Sequence, residues 1–264
     1  MSSAVAALVN PGGEEIAREF SEHFDVLIAD TASMLDAAYR LRYQVYCVEN
    51  AFETAAEHPD GREIDREDDR AVHSLIVHRR TGLAAGTVRL ILPDGNPIER
   101  PLPMQRLLEP SLRARLSQLP THATAEISRF AVSKQFRRRR GEERYPDVGL
   151  VDCGEPGAHE RRLMPYLTYG LLRAILHMSA EHDITHVCAV MEPALLRLVG
   201  HIGFQFELLG SPVHHHGIRQ PCFGKLSCII EKIRSKNPGL WRYMTGFTVA
   251  TRLDRELVHE IAAA

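Results

Sequence analysis

An acid, a hydroxyl and a guanidinium stand within four residues of one another in Ala125-Glu126-Ile127-Ser128-Arg129-Phe130-Ala131-Val132-Ser133. A carboxylate can accept a proton during a reaction, and a guanidinium can grip an anion with paired N–H groups. Apolar and polar residues nearly alternate, with aromatic and β-branched types among the apolar ones, so the stretch predicts a strand. Strict alternation places Glu126, Ser128 and Phe130 on one face and Ile127, Arg129 and Ala131 on the other. In a central strand these polar groups are half-buried and need partners. The stretch runs into Lys134-Gln135-Phe136-Arg137-Arg138-Arg139-Arg140-Gly141, a basic turn. An acid-bearing strand, a cationic loop and a following helix suit an anionic, phosphate-bearing ligand. A core strand with a buried ion pair and a solvated charge run accounts for the same residues equally well.

Two more cations are expected to point inward. Ala32 to Val48 reads as a helix capped by Asp30 or Thr31. Its face of Leu35, Ala38, Tyr39, Arg42, Val45 and Tyr46 carries Arg42 among apolar residues, where an arginine needs a carboxylate. Val72 to His78 and Ala84 to Leu92 form a hairpin, with Thr87, Arg89 and Ile91 on one face. Between these elements, Cys47 to Arg70 is a long connection containing Phe52 and the acidic run "GREIDREDDR". Long irregular segments in compact domains are often lids or binding loops, although an acidic run by itself reads as solvated surface.

The remaining elements frame this group. Glu14 to His23 is a short helix behind a loose tail, and Phe24 to Ala29 is a strand. Pro93 to Pro103 is a proline-rich loop, followed by a helix over Met104 to Leu119 that Pro110 interrupts or begins. Glu142 to Glu160 is a polar loop and Arg161 to His182 a strong helix. Thr185 to Met191 is a buried strand, and Pro193 opens the helix "PALLRLVGHIGF". Phe204 to Leu209 and Lys225 to Glu231 are expected to complete the sheet. The domain division is a tail and short helix over 1–23, a main domain over 24–231 and a helical appendage over 232–264, ending in an amphipathic helix from Leu253 to Ile261.

Composition sets outer bounds. The 264 residues, 44% hydrophobic and 25% charged, are ordinary for a globular chain, and a net charge of -2 disfavours nucleic-acid binding. No apolar run reaches membrane-spanning length and no secretion signal is evident, so the expected location is cytoplasmic. The five scattered cysteines (Cys47, Cys153, Cys188, Cys222, Cys228) suit reduced thiols. His214 to His216 with Cys222 and Cys228 lack regular ligand spacing, so no metal is expected. Cys188 reads as a small core residue rather than a nucleophile.

The order strand, helix, hairpin, strand with basic turn, long helix, strand, helix and strand resembles the acetyltransferase-like N-acyltransferase fold. The fold class this implies is α/β (α+β), a central mixed sheet flanked by helices, in which two adjacent parallel strands, 125–133 and 185–191, splay apart. More specifically, the chain is similar to acyl-homoserine lactone synthases and N-acyl amino acid synthases, and looks most like the acyltransferases associated with exosortase (PEP-CTERM) systems. The matching positions span residues 40–205. "LRYQVY" supplies Arg42 and Tyr46, and Phe52 stands where the lactone synthases carry tryptophan. "EIDREDD" supplies Asp65 and Asp68, "GTVRL" supplies Arg89, and "EISRFAV" supplies Glu126, Arg129 and Phe130. The glycine-rich turn of acetyl-coenzyme A users survives only in part at Arg138 to Gly141, which weakens acetyl-coenzyme A as the donor.

The resemblance implies a fatty acyl group passed from an acyl carrier protein thioester to an amine, with an amino acid as the expected acceptor. It turns Asp65 and Asp68 into network partners of Arg42, Arg89 and Arg129, able to hold the 47–70 lid. Glu126 becomes the base and N–H groups near Phe130 to Val132 the oxyanion donors. The substrate set is completed by Tyr46, Phe52, Ser128, Phe130, Ala131, Val132 and Val190. Lys134 and Arg137, Arg138, Arg139 and Arg140 would face the acidic carrier protein. The donor is the acyl-phosphopantetheine of that carrier, with no bound cofactor. Two alternatives stand beside this: a lactone signal synthase using S-adenosylmethionine, and a non-catalytic acyl-binding component of an export system.

Overall fold

The computed structural model describes residues 13–96, 99–136, 166–215 and 217–246. In chain order the elements are α1 (Gly13–His23), β1 (Phe24–Ile28), α2 (Ala32–Tyr43), β2 (Ala71–His78), β3 (Ala84–Ile91), α3 (Pro110–Leu116) and β4 (Thr124–Val132). They continue with α4 (Leu167–Glu181), β5 (His186–Met191), α5 (Pro193–His201), β6 (Glu207–Leu208), β7 (Val213–His214), β8 (Ile218–Lys225) and α6 (Leu226–Lys236). The sheet order is β1-β2-β3-β4-β5-β8-β6, with β7 paired to β8. Every neighbouring pair is antiparallel except β4 and β5.

Local chemistry sets the element ends. Thr31 Oγ1 accepts from the Met34 N–H at 3.3 Å and caps α2. Pro110 and Pro193 stand in the first turns of α3 and α5, where a missing N–H costs nothing. The apolar stripe of α4, with Leu167, Leu171, Ala174, Ile175 and Met178 buried, lies against the sheet in the main core. Gly170 allows the approach: a Cβ there would sit 2.8 Å from Phe20 and 2.9 Å from Ile76. On the opposite face, Ala38 of α2 packs with Ala29 and Leu75.

The parallel pair is short. Ladder partners run from Thr124↔His186 to Ile127↔Ala189 and stop. Beyond that point β4 stays on β3 as far as Val132, and β5 stays on β8 as far as Met191. The first four residues of β4 are buried and the next three are half-buried. The two strands therefore diverge after Ile127 and Ala189, as expected for the splayed pair, leaving backbone groups of Ser128 to Val132 without a ladder partner on β5.

Several expectations are corrected. The helix expected over 32–48 is α-helical only to Tyr43, and Gln44–Glu49 is wound as a π-helix. The helix expected over 104–119 is a 3-10 turn, Pro103–Arg106, followed by α3. Only Glu207–Leu208 pairs within the expected strand 204–209. Lys225 to Glu231 is not a strand: the strand precedes it as β8, and α6 begins at Leu226. Leu226, Ile229, Ile230 and Ile233 are buried at helical spacing, which the β-branched composition disguised. The boundary expected at residue 232 falls inside α6. Residues 238–246 are helical, and Leu240, Tyr243 and Met244 pack into the main core. The expected helix at 253–261 lies outside the described residues.

Candidate active site

A bulge in β4 creates the site's polar wall. Arg89 pairs with Ser128 and Thr87 with Ala131, so one residue of β3 faces two of β4. Arg129 takes up the extra length in the left-handed region, at φ 49°. The consequence is a change of face, because a one-residue slip turns every later side chain over. Ile127 and Phe130 both pack on the main core, whereas Ala131 packs on Leu41 and Val45 across the sheet. Alternation had put Phe130 beside Ser128 and Arg129 beside Ile127. The bulge instead turns Arg129 into the same ion network as Ser128.

That network joins three arginines from three framework elements to carboxylates of one connecting segment. Arg42 of α2 donates from Nε to Glu63 at 2.6 Å and from both terminal nitrogens to Asp68 at 2.7 and 3.1 Å. Arg89 of β3 donates to Asp65 at 2.6 and 3.0 Å, to Asp68 at 2.8 Å and to the Ser128 hydroxyl at 2.9 Å. Arg129 donates to Glu63 at 2.8 and 3.0 Å and to Glu53 and Asp65 at 3.1 Å each. Arg42, Glu63 and Arg89 are buried. Burial alone would push the Glu63 carboxyl up, but the bonds and charges of Arg129 and Arg42 override it and hold it at about 2. Asp68 is likewise held down by Arg42 and Arg89 against its burial. His73 Nε2 lies 3.4 Å from Asp68 without a hydrogen bond, and burial, aided by the charge of Arg42, depresses its pKa to about 4.

The segment between α2 and β2 is thereby fixed over the opening of the sheet. At its start the Tyr46 carbonyl accepts from the N–H groups of Phe52 and Glu53 at 2.7 and 3.1 Å, and the Asn50 amide donates to Val45 O at 2.6 Å. At its end Asp65 caps the 3-10 turn Arg66–Arg70, with Asp68 bonding back to the Asp65 N–H. An aromatic and cationic stack crosses the top: Arg129 lies 5.2 Å from the Tyr46 ring, Tyr46 is 6.2 Å from Phe52, and Arg219 of β8 lies 5.6 Å from Phe52.

Glu126 stands apart from the ion network. It is buried beside Cys188, which is its ladder partner on β5, and Oε2 accepts from the Met104 N–H at 2.8 Å. Burial raises its pKa to about 7, against the opposing bond from Met104 and the charge of Arg89. A carboxylate titrating near neutrality, one residue short of the point where the strands part, is suited to proton transfer. Cys188 is pushed well up by burial, which leaves it a thiol.

Of the other expected site residues, Val132 and Phe130 lie half-buried on the main core and Val190 on a second apolar cluster. Lys134 is tied back to the segment's start: its Nζ donates to the Glu49 carbonyl at 2.8 Å. Arg137 to Arg140 lie outside the described residues. Sequence reasoning missed Glu63, Glu53, His73 and Arg219. Glu63 was within reach, because it opens the quoted acidic motif and three inward arginines call for three carboxylates. Among the described residues no group of His, Cys, Asp and Glu is arranged to hold a metal ion, and no helix is long and apolar enough to cross a membrane.

This architecture is that of the acetyltransferase-like fold, and residues 41–145 match the acetyltransferase (GNAT) domain family. Solved structures of the same fold include the CoA-dependent acyl-homoserine lactone synthase BjaI with SAM and isopentyl-CoA, at 21% identity and a TM-score of 0.55, covering 83% of this chain and 89% of that one. TofI, in a ternary complex with an inhibitor and MTA, is similar at 18% identity and a TM-score of 0.55, over 83% and 99% of the two chains. FeeM, an N-acyl amino acid synthase from uncultured soil microbes, is similar at 14% identity and a TM-score of 0.51, over 79% and 93%. At these identities the likeness is one of fold. No curated protein matches the chain significantly.

Proposed function

We propose that the protein is an N-acyltransferase that moves a fatty acyl group from the thioester of an acyl carrier protein to the amine of an amino acid. The observation that carries this reading is the parting of β4 and β5 one residue beyond the buried Glu126. A thioester arm laid in that gap would meet the backbone N–H and C=O groups of Ser128 to Val132 that face away from β3. The thioester is already activated, so the enzyme's tasks are alignment, removal of a proton and stabilisation of the oxyanion. The amine nitrogen attacks the thioester carbonyl, Glu126 takes the amine proton directly or through water, and an N–H in the Phe130 to Val132 stretch holds the oxyanion. Collapse expels the carrier thiolate, which regains a proton as the thiol, and leaves an amide. No covalent enzyme intermediate is required. The network of Arg42, Arg89 and Arg129 with Glu63, Asp65 and Asp68 positions the covering segment and touches neither reactant in this scheme.

The test is incubation of the purified protein with long-chain acyl carrier protein and the pool of amino acids, reading amide product and thiol release. Amide formation supports the assignment. Methylthioadenosine release and a lactone on addition of S-adenosylmethionine would move it to signal synthesis. A co-purified acyl chain without turnover would make the protein an acyl-binding component, and absence of both product and thiol release with every acceptor would count against catalysis.

A further inference from the structure

Arg219 is a guanidinium that the fold places at the mouth of the opening and engages only loosely. It lies one residue outside the ladder that pairs Gln220 with Met191, at the end of β5 that has left β4. Its side chain is 17% exposed. Its ring partner is Phe52 of the covering segment, and the stack continues through Tyr46 to Arg129, so Arg219 occupies one end of a bridge whose other end is the bulge of β4. Its polar contacts among the described residues are both long: Nη1 is 3.7 Å from Oε2 of the exposed Glu192 and 3.5 Å from its own neighbour's carbonyl at Ile218. Each network arginine, by contrast, makes three or four bonds of 2.6 to 3.1 Å. A covered guanidinium with five donors and no short acceptor is a binding group for an anion, and its planar fork matches a carboxylate.

Resting on the acyltransferase reading, we propose that Arg219 binds the carboxylate of the acceptor and so restricts the acceptors to amines that carry one. In the proposed scheme the donor arm lies along the backbone of Ser128 to Val132 on β4, the other strand of the opening. An anion on the β8 side, across the gap, is then the acceptor's. Phe52 completes the subsite by holding the guanidinium plane from the segment's side.

The experiment pairs each amino acid with its primary amide as acceptor for long-chain acyl carrier protein, in the parent and in Arg219→Gln and Arg219→Lys. The parent is expected to favour the acid over the amide at least tenfold in kcat/KM. Arg219→Gln should raise the acceptor KM for the acid by tenfold or more, leave the amide and the donor KM unchanged, and so abolish the preference. Arg219→Lys should restore part of it. Equal use of acid and amide by the parent, or an unchanged preference in a folded Arg219→Gln protein, overturns the proposal. A raised donor KM with the preference intact assigns Arg219 to the donor phosphate and overturns it as well. Binding of N-dodecanoyl amino acids and their amides, read as a thermal shift, tests the subsite without turnover. An acid preference that Arg219→Gln removes supports the carboxylate site even if no acyl transfer is found, whereas equal shifts with acid and amide sink it. Acyl transfer without discrimination sinks the subsite and leaves the acyltransferase standing.

Discussion

Replacing Glu126 by glutamine separates its catalytic use from its cost to the fold. The carboxyl is buried, accepts from the Met104 N–H, and titrates at about 7 instead of the ordinary 4.5. In the folded protein it therefore keeps its proton where the unfolded chain has lost it. Between pH 4.5 and 7 the native state binds more protons, so its contribution to stability is complete below pH 4.5 and is lost as pH rises through 7. The separation of the two values corresponds to about 3 kcal/mol. Glutamine preserves the shape and the acceptor for Met104 but never ionises. Urea unfolding of parent and Glu126→Gln at pH 4, 6 and 8 should give a stability difference that grows in favour of the variant by about 3 kcal/mol, while groups common to both cancel. In the acylation assay the parent's kcat/KM should rise with pH to a plateau above about 7. The variant should lose at least ~10² in rate and that pH limb with it. A stability difference that stays flat with pH would refute the buried-proton argument. A folded Glu126→Gln protein that turns over like the parent would refute the base assignment and pass the role to Asp65 or to a backbone-bound water.

Four further outcomes test the rest of the reading. Arg129→Ala should destabilise by at least about 3 kcal/mol in urea unfolding, because it leaves the buried Glu63 with Arg42 alone and Glu53 and Asp65 without the bonds they make there. Arg129→Gly should be milder than Arg129→Ala by about 1 kcal/mol, since glycine accepts the left-handed backbone at φ 49° without penalty. Glu63, held at about 2, contributes stability that is full above its ordinary 4.5 and is lost as pH falls from there towards 2, so Glu63→Gln should be less stable than the parent at pH 6 and flatten the acid limb of a pH titration of unfolding. Arg138→Glu with Arg139→Glu should weaken acyl carrier protein binding with little change in fold stability, and the loss should shrink as salt is raised.

Much of the frame was legible because its signals are local. The cap at Thr31, the prolines that open α3 and α5, and the hairpin of β2 and β3 are decided by a few adjacent residues. The inward direction of Arg42 and Arg89 followed from period alone, since α2 is regular up to Arg42 and β3 pairs regularly with β2 from Gly86 through Ile91. What escaped was settled by partners distant in sequence. Nothing in "EISRFAV" marks a bulge, and an arginine is a poor announcement of a left-handed residue, so the faces after Ser128 were inverted. The π-winding of Gln44–Glu49 is equally silent, because its justification is the Tyr46 carbonyl turned to Phe52 and Glu53 in the segment beyond. Arg219 carries no local signal at all: its meaning depends on the segment that brings Phe52 to it across the gap.

The bulge, the buried charges and the covering segment are one construction. A left-handed arginine costs about 1 kcal/mol or more, and such a conformation persists only where its surroundings over-determine it. Here the surroundings are Glu53, Glu63 and Asp65, all contributed by the covering segment. The same bulge turns Arg129 towards them at the point where β5 departs. The carboxylates that seat the segment thus also hold the strand distortion, and neither can be released without the other. A buried ion network of this kind is a weak source of net stability, because desolvation consumes most of its Coulomb gain. Three guanidiniums from α2, β3 and β4 against Glu63, Asp65 and Asp68 leave the segment one register in which every charge is paired. That register sets Phe52 against Arg219 and closes the stack over the gap beside Glu126.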